Sequence, residues 1–345
     1  MLLTTGKAMK AIVYTEPNAV AVLERDMPAL APGEALLRID ASGICGSDLH
    51  AYHGHDPRRK PGLVLGHEFA GTVVASADES RLAVGQRVTA NPLVTCGHCD
   101  YCLQGRDNLY ANRGMVGMSR PGALSEYLAI PIRCTIPIPD ALASVSAALA
   151  EPAATALHAV NLTMRALARP LPEARVLIIG GGAIGMLAAA LVRSYGCGEV
   201  RVAETNALRR ASVTRHLGCD AVDPLACPLP ESAFDVVIDA VGAGATRKLA
   251  IAAARPGGVV MHIGLQDWAS EIDMRKLTLA ELTLLGTYTY TMADLRATVA
   301  ALERGSFGTL EWVETRALSD GPAAFADLAA GRVAAGKVVL IPETA

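Results

Sequence analysis

The sequence predicts two domains of different class: an antiparallel, barrel-like β domain, then an α/β domain on a doubly wound parallel sheet. Three observations carry this. Residues 9–150 break into short β-prone runs punctuated by Gly and Pro. From about Glu173 apolar strands alternate with helical stretches, which right-handed crossovers fold into a parallel sheet. At that change stands ARVLIIGGGAIG, Ala174–Gly185, an apolar strand running into Gly180-x-Gly182-x-x-Gly185. The length of 345 residues suits two domains of roughly 100–200 residues each.

In the first part the β runs are KAIVYT, EALLRIDASG, EFAGTVVASA, GQRVTA and LSEYLAIP. In the second, strand VLIIG leads to helix IGMLAAALVRSYG, and strand EVRVAE leads to helix NALRRASVTRHLG. Strand FDVVIDAVG, a helix through Thr246–Ala254, and strands GVVMHIG and LTLLGTY follow. Residues 292–304 carry a helical pattern, and Val338–Ile341 reads as a last strand. That strand has no βαβ partner, so the C-terminal piece is expected to return to the first domain. The expected division is 1–154 together with 292–345, and 155–291.

Composition narrows the function. A hydrophobic share of 51% and a charged share of 19% allow a large core and exclude a disordered chain. A net charge of −3 argues against nucleic acid as partner. No apolar run approaches the ~20 residues of a membrane span. The opening MLLTTGKAMKAIVY lacks a long apolar signal region, Met9 is an alternative start, and a cytoplasmic protein is expected. Eight cysteines in so long a chain do not read as a disulfide framework, and Cys134, Cys197, Cys219 and Cys227 read as free thiols.

The glycine loop reads as a dinucleotide cradle. Gly180 permits the tight turn, Gly182 lets the backbone approach a pyrophosphate, and Gly185 lets the helix pack on the strand. Ala183 and Ile184 open that helix, whose first amides face an anion. Glu204, ending the next strand, suits both ribose hydroxyls and repels a 2′-phosphate, which selects NAD over NADP. Arg209 and Arg210 lie close enough to receive a phosphate if that acid swings away.

A second group lies in GICGSDLH (Gly43–His50), GHE (Gly66–Glu68) and Glu151-Pro152. Cys45, His67, Glu68 and Glu151 form the mixed thiolate, imidazole and carboxylate set of a catalytic zinc that keeps one position open. These motifs, with the C-x2-C-x2-C run of Cys96, Cys99 and Cys102, occur in order across residues 9–342. The sequence thereby resembles the zinc-dependent medium-chain dehydrogenases/reductases of the alcohol dehydrogenase superfamily, nearest the sorbitol and threonine dehydrogenase branch.

The resemblance implies a GroES-like barrel, a Rossmann domain, an active site in the cleft between them, and a homodimer or homotetramer. It makes Cys45 and His67 zinc ligands, with Glu68 and Glu151 as acids that exchange with water on the metal. Ser47 would accept the alcohol's proton and His50 would pass it towards solvent. A second, structural zinc would take four cysteines spaced C-x2-C-x2-C-x7-C, but Tyr110 fills the fourth place, which leaves Asp100, Asp107 or water to complete a weak site, or a lobe without metal held by packing. Thr289 stands where polyol dehydrogenases carry a substrate-gripping arginine. The expected reaction moves a hydride from a secondary alcohol, such as a polyol, sugar acid or related small hydroxy compound, to NAD. Two alternatives stand beside it: a zinc-free, quinone-reductase-like member, and a non-catalytic NAD-binding redox sensor.

Overall fold

The computed structural model describes residues 8–343. The ends of the expected first-domain range, and the alternative start at Met9 so far as it concerns residues 1–7, lie outside them.

Residues 175–286 form a six-stranded sheet in the order Asp220–Val222, Glu199–Ala203, Arg175–Ile179, Phe234–Asp239, Ala254–His262, Thr283–Gly286, with every neighbouring pair parallel. Chain order reverses between Arg175–Ile179 and Phe234–Asp239, where open α/β sheets form their ligand crevice. The short strand Asp220–Val222 escaped the sequence reading because its three residues are too few to show a period.

The other large sheet has seven strands. Glu34–Gly43 is central, pairing antiparallel with Glu68–Ser76, Tyr127–Pro131 and Lys337–Ile341. Arg87–Ala90 and Thr135–Pro137 extend one side, and Val313–Ala317 extends the other by pairing parallel with Lys337–Ile341. The strand Ala8–Glu16 folds back on Ala19–Asp26 in a separate hairpin whose second strand the sequence reading passed over. Asn18 takes the left-handed conformation at that turn, at φ 64. The second strand hides because none of its residues is fully buried.

The C-terminal piece divides. Its last strand joins the barrel sheet, with Val339 opposite Gly43. Its helix Met292–Glu303 instead shares a core with the parallel sheet, where Leu295, Val299 and Leu302 cluster with Val176, Ile178 and Leu187.

The helix Ala150–Ala166 positions the site. Pro152 stands in its first turn, where the missing N–H costs nothing, so Glu151-Pro152 marks a helix start. Ala153, Ala154, Ala156 and Ala159 are fully buried, and their small side chains let this helix sit close to Ala41 and Ala70 of the barrel sheet within the largest core cluster. One helix thus ties both halves into a single core. Among the described residues, no helix is long and apolar enough to cross a membrane.

Candidate active site

Local structure explains why the GICGSDLH motif holds its shape. Cys45 is the N-cap of the helix Gly46–Tyr52: its Sγ accepts from the Ser47 amide at 3.5 Å, and Asp48 Oδ2 accepts from the Cys45 amide at 3.0 Å. His50 lies one turn beyond Ser47 on that helix. Across the sheet, Glu68 opens the strand Glu68–Ser76 and His67 immediately precedes it. Two glycines make room for them. Gly66 has φ 94, and a Cβ there would meet Leu124 at 2.6 Å. A Cβ on Gly43 would collide with the Glu68 carboxylate.

The fold brings Cys45, His67 and Glu68 together, with one donor atom of each within 4.8 Å of the others. Cys45 keeps part of its surface open to solvent, yet the surrounding protein pushes its thiol up to about 12, and the Glu68 charge adds to the push. Glu151, the fourth expected ligand, is buried nearby but outside that 4.8 Å group, with Tyr290 donating its hydroxyl to Glu151 Oε1 at 3.0 Å. Burial raises the Glu151 carboxyl to about 7, against the attraction of nearby His67.

Residues that the sequence reading missed surround this group. Lys337 is buried and donates to both Glu68 oxygens at 2.7 Å and to the Ile44 carbonyl at 2.9 Å. Asp48 Oδ1 stands 3.7 Å from His67 Nδ1 and 3.8 Å from the Arg59 guanidinium. Arg59, also buried, donates to Ser47 Oγ at 3.2 Å and to the Ser47 carbonyl at 2.8 Å, while Asp56 braces it at 3.0 Å. Ser47 Oγ in turn lies 3.5 Å from His67 Nε2. Burial and neighbouring His55 hold the His50 imidazole below its ordinary pKa, so it is neutral and able to take a proton at pH 7.

The donor set suits a zinc ion: sulfur, imidazole nitrogen and carboxylate oxygen are gathered together, with His67 and Glu68 buried. His67 Nδ1 is buried without a hydrogen-bond partner, an orphan that metal ligation or a tighter approach of Asp48 satisfies.

At the glycine loop, Gly180 has φ 104 and Gly182 is the N-cap of the helix Ala183–Ser194. Nothing lies within 4 Å of a Cβ built on Gly182, whereas one on Gly185 would strike the Gly180 carbonyl. The loop therefore offers open space over the first amides, those of Ala183 and Ile184 among them, and close packing below. Glu204 is buried beside it and accepts from the Gly181 and Asn206 amides, both at 2.8 Å. Arg209 has a buried Nε without a partner, and Arg210 pairs with Asp223 at 3.2 Å.

The Cys96, Cys99 and Cys102 sulfurs also lie within 4.8 Å of one another, in a separate and half-exposed group. Asp107, a candidate fourth donor, is engaged elsewhere: its oxygens accept from Met292 N at 3.2 Å and Asn91 Nδ2 at 3.5 Å. Thr289 has φ 46, a strained setting for a β-branched residue, and its hydroxyl is buried without a partner.

Comparison with known proteins returns two family matches: Alcohol dehydrogenase GroES-like domain over residues 31–140, and Zinc-binding dehydrogenase over residues 183–304. L-galactonate-5-dehydrogenase of Escherichia coli is 32% identical over 83% of this chain and 85% of its own length. L-threonine 3-dehydrogenase of Mesorhizobium japonicum is 32% identical over 86% and 88%. Among solved structures, acetophenone reductase from Geotrichum candidum in complex with NAD superimposes with a TM-score of 0.87, at 28% identity, covering 98% of each chain.

Proposed function

The chain belongs to the zinc-dependent medium-chain dehydrogenases of the alcohol dehydrogenase superfamily, and from that premise we propose that it oxidises a secondary alcohol, a polyol, sugar acid or related small hydroxy compound, with NAD as hydride acceptor. One observation carries the reading. Glu151, on a helix whose body packs in the core of the parallel sheet, is buried near His67 and Glu68 of the barrel though outside the 4.8 Å group of Cys45, His67 and Glu68, so the metal donors stand beside the dinucleotide half.

In this reading Cys45 and His67 hold the zinc, and Glu68 and Glu151 are the acids that exchange on it. When bound, zinc supplies a Lewis acid that eases ionisation of the carbinol, and the nicotinamide accepts the hydride. Ser47, fixed by Arg59, takes the carbinol proton, and neutral His50 passes it outward. Tyr290 orients Glu151, and Lys337 holds the Glu68 carboxylate. Gly180, Gly182, Ala183, Ile184 and Gly185 cradle the pyrophosphate, and Glu204 faces the ribose. Arg209 lies at the same edge. The two binding halves divide near residues 154 and 291 in this reading, with the helix Met292–Glu303 packed on the parallel sheet before the last strand returns to the barrel.

Two further features complete the proposal. The strand Thr283–Gly286 ends the parallel sheet, and Leu265, Trp268, Met274, Leu279 and Leu284 are exposed around it; pairing of that edge with a second copy makes a homodimer, the unit of any tetramer. The eight cysteines are free thiols, as suits the reducing cytoplasm.

The test is a nicotinamide-absorbance screen across polyols, sugar acids, hydroxy amino acids and simple alcohols with NAD and NADP. Turnover of a secondary alcohol with NAD, abolished by chelation and restored by zinc, is the expected result. No turnover with any secondary alcohol overturns the reading. Chelator-insensitive turnover favours the zinc-free relative, and binding without turnover favours the sensor.

A further inference from the structure

One cation of the barrel half reaches across to the other half. The Arg113 guanidinium lies 4.3 Å from the ring centre of Tyr288, which follows the last strand of the parallel sheet, Thr283–Gly286. Arg113 Nε donates to the Tyr288 hydroxyl at 3.0 Å, and its Nη1 donates to the Tyr110 carbonyl at 2.9 Å. Buried Asn108 fixes the backbone of the same tyrosine, donating to the Tyr288 carbonyl at 2.8 Å.

Tyr288 borders the catalytic group on two sides. Two residues on, Tyr290 holds Glu151, and Thr289 between them turns the chain at φ 46. Burial raises the Tyr290 phenol, Glu151 comes next, and Tyr288 adds to the rise. On the other side, the Asp56 bond raises the Arg58 guanidinium and Tyr288 adds to that rise too, while the next residue, Arg59, fixes Ser47. Tyr288 is therefore within electrostatic reach of both the Glu151 side and the Ser47 side of the site.

Arg113 differs from these neighbours in having no counter-charge. Arg58 stands against Asp56, and Arg59 against Asp48 and Asp56. Among the described residues, no carboxylate pairs with Arg113. Two of its five N–H donors are engaged, which leaves both hydrogens of Nη2 and one of Nη1. The side chain is half-buried, so this charge is partly withdrawn from water. Stacking and the Nε bond hold the guanidinium plane in one orientation, which is what bidentate capture of a carboxylate requires.

We propose that Arg113, oriented by Tyr288, receives the carboxylate of an anionic substrate, so that the alcohol oxidised here is a hydroxy acid rather than a neutral polyol or simple alcohol. The inference rests on the dehydrogenase reading above and narrows its substrate class.

The experiment measures NAD-linked turnover by the full-length parent, Arg113→Met, Arg113→Lys and Tyr288→Phe. The substrates are galactonate, idonate and gluconate, the matching hexitols, L-threonine and isopropanol. For at least one acid the parent's kcat/KM should exceed that for every neutral alcohol by about tenfold or more. Arg113→Met should raise KM for that acid by about 10- to 100-fold, with kcat within about threefold. Neutral-alcohol kinetics and NADH binding, read by nucleotide fluorescence, should stay as in the parent. Arg113→Lys should recover part of the loss, since it keeps the charge without the planar fork. Tyr288→Phe should cost less, about threefold in KM, because the ring remains. Preference for an aldonate assigns the carboxylate to a sugar acid, and preference for threonine assigns it to an amino acid. A parent that favours a neutral alcohol overturns the proposal, as does an Arg113→Met variant that loses acid and neutral turnover alike. Should Arg113→Met misfold by circular dichroism, an unchanged KM for the acid in both Arg113→Lys and Tyr288→Phe overturns it. No turnover of any secondary alcohol overturns the dehydrogenase reading as well, which separates the two failures.

Discussion

The two cysteine groups of this chain are built in opposite ways. The Cys45 group takes residues from separate stretches of the sequence, mixes sulfur, nitrogen and oxygen donors, and is surrounded by Lys337, Asp48, Arg59 and Tyr290. The Cys96 group takes three thiols from seven consecutive residues, half-exposed, with no buried apolar neighbour in its own segment. A group that must do chemistry needs its donors oriented from several sides, which only a packed core supplies. The thiol loop draws its donors from one short stretch, and Asp107, Asn108 and Arg113 tie its segment to Met292 and Tyr288.

If that contrast is right, the same substitution should have unlike effects at the two places. Cys45→Ser should lower kcat/KM by about 10³-fold or more, since the Lewis acid contributes several kcal/mol, whereas Cys99→Ser leaves turnover of the same alcohol near the parent's. Steady-state kinetics on purified variants checks this, and comparable losses at both would erase the distinction.

Enclosure should also show in stability. Lys337→Met removes one partner of a buried ion pair and strands Glu68, at a cost of about 3–5 kcal/mol in urea unfolding. Cys102→Ser, in metal-free protein, should unfold like the parent.

The smallest effect concerns the joint between the regions. Asp294 lies at the start of the helix Met292–Glu303, whose first amide Asp107 of the lobe also holds. Burial opposes its ionisation, but bonds from His158 and Thr291 outweigh burial and hold the carboxyl down to about 2. Its folded value is below the unfolded value near 3.8, so its contribution is full above about pH 4 and is lost as pH falls through 2. The stability gap between the parent and Asp294→Asn should therefore close over that window, by an amount that partial solvent exposure keeps modest.

Much of this was legible in sequence where the signal is local. The parallel-sheet half announced itself through the strand, glycine loop and helix of Ala174–Ser194, and Cys45, Ser47 and His50 share one short capped helix. Lys337 and Tyr290 were not legible. Lys337 is 269 residues from Glu68, and Tyr290 is 139 from Glu151. Nothing in GKVVLI says that its lysine turns inward. The strand Ala19–Asp26 was missed for the opposite reason, having no buried side to set a pattern.

By itself the sequence determined what local order imposes: the glycine loop Gly180–Gly185 between strand and helix, the crossover rhythm, and the absence of a fourth cysteine at Tyr110. Only the tertiary structure decided which distant polar groups meet. Pairing of Lys337–Ile341 with Glu34–Gly43, and of that strand with Glu68–Ser76, carries a lysine from the end of the chain onto a glutamate near its start. Sheet register is a collective property of the packed core, because a slip of one residue turns every side chain to the other face.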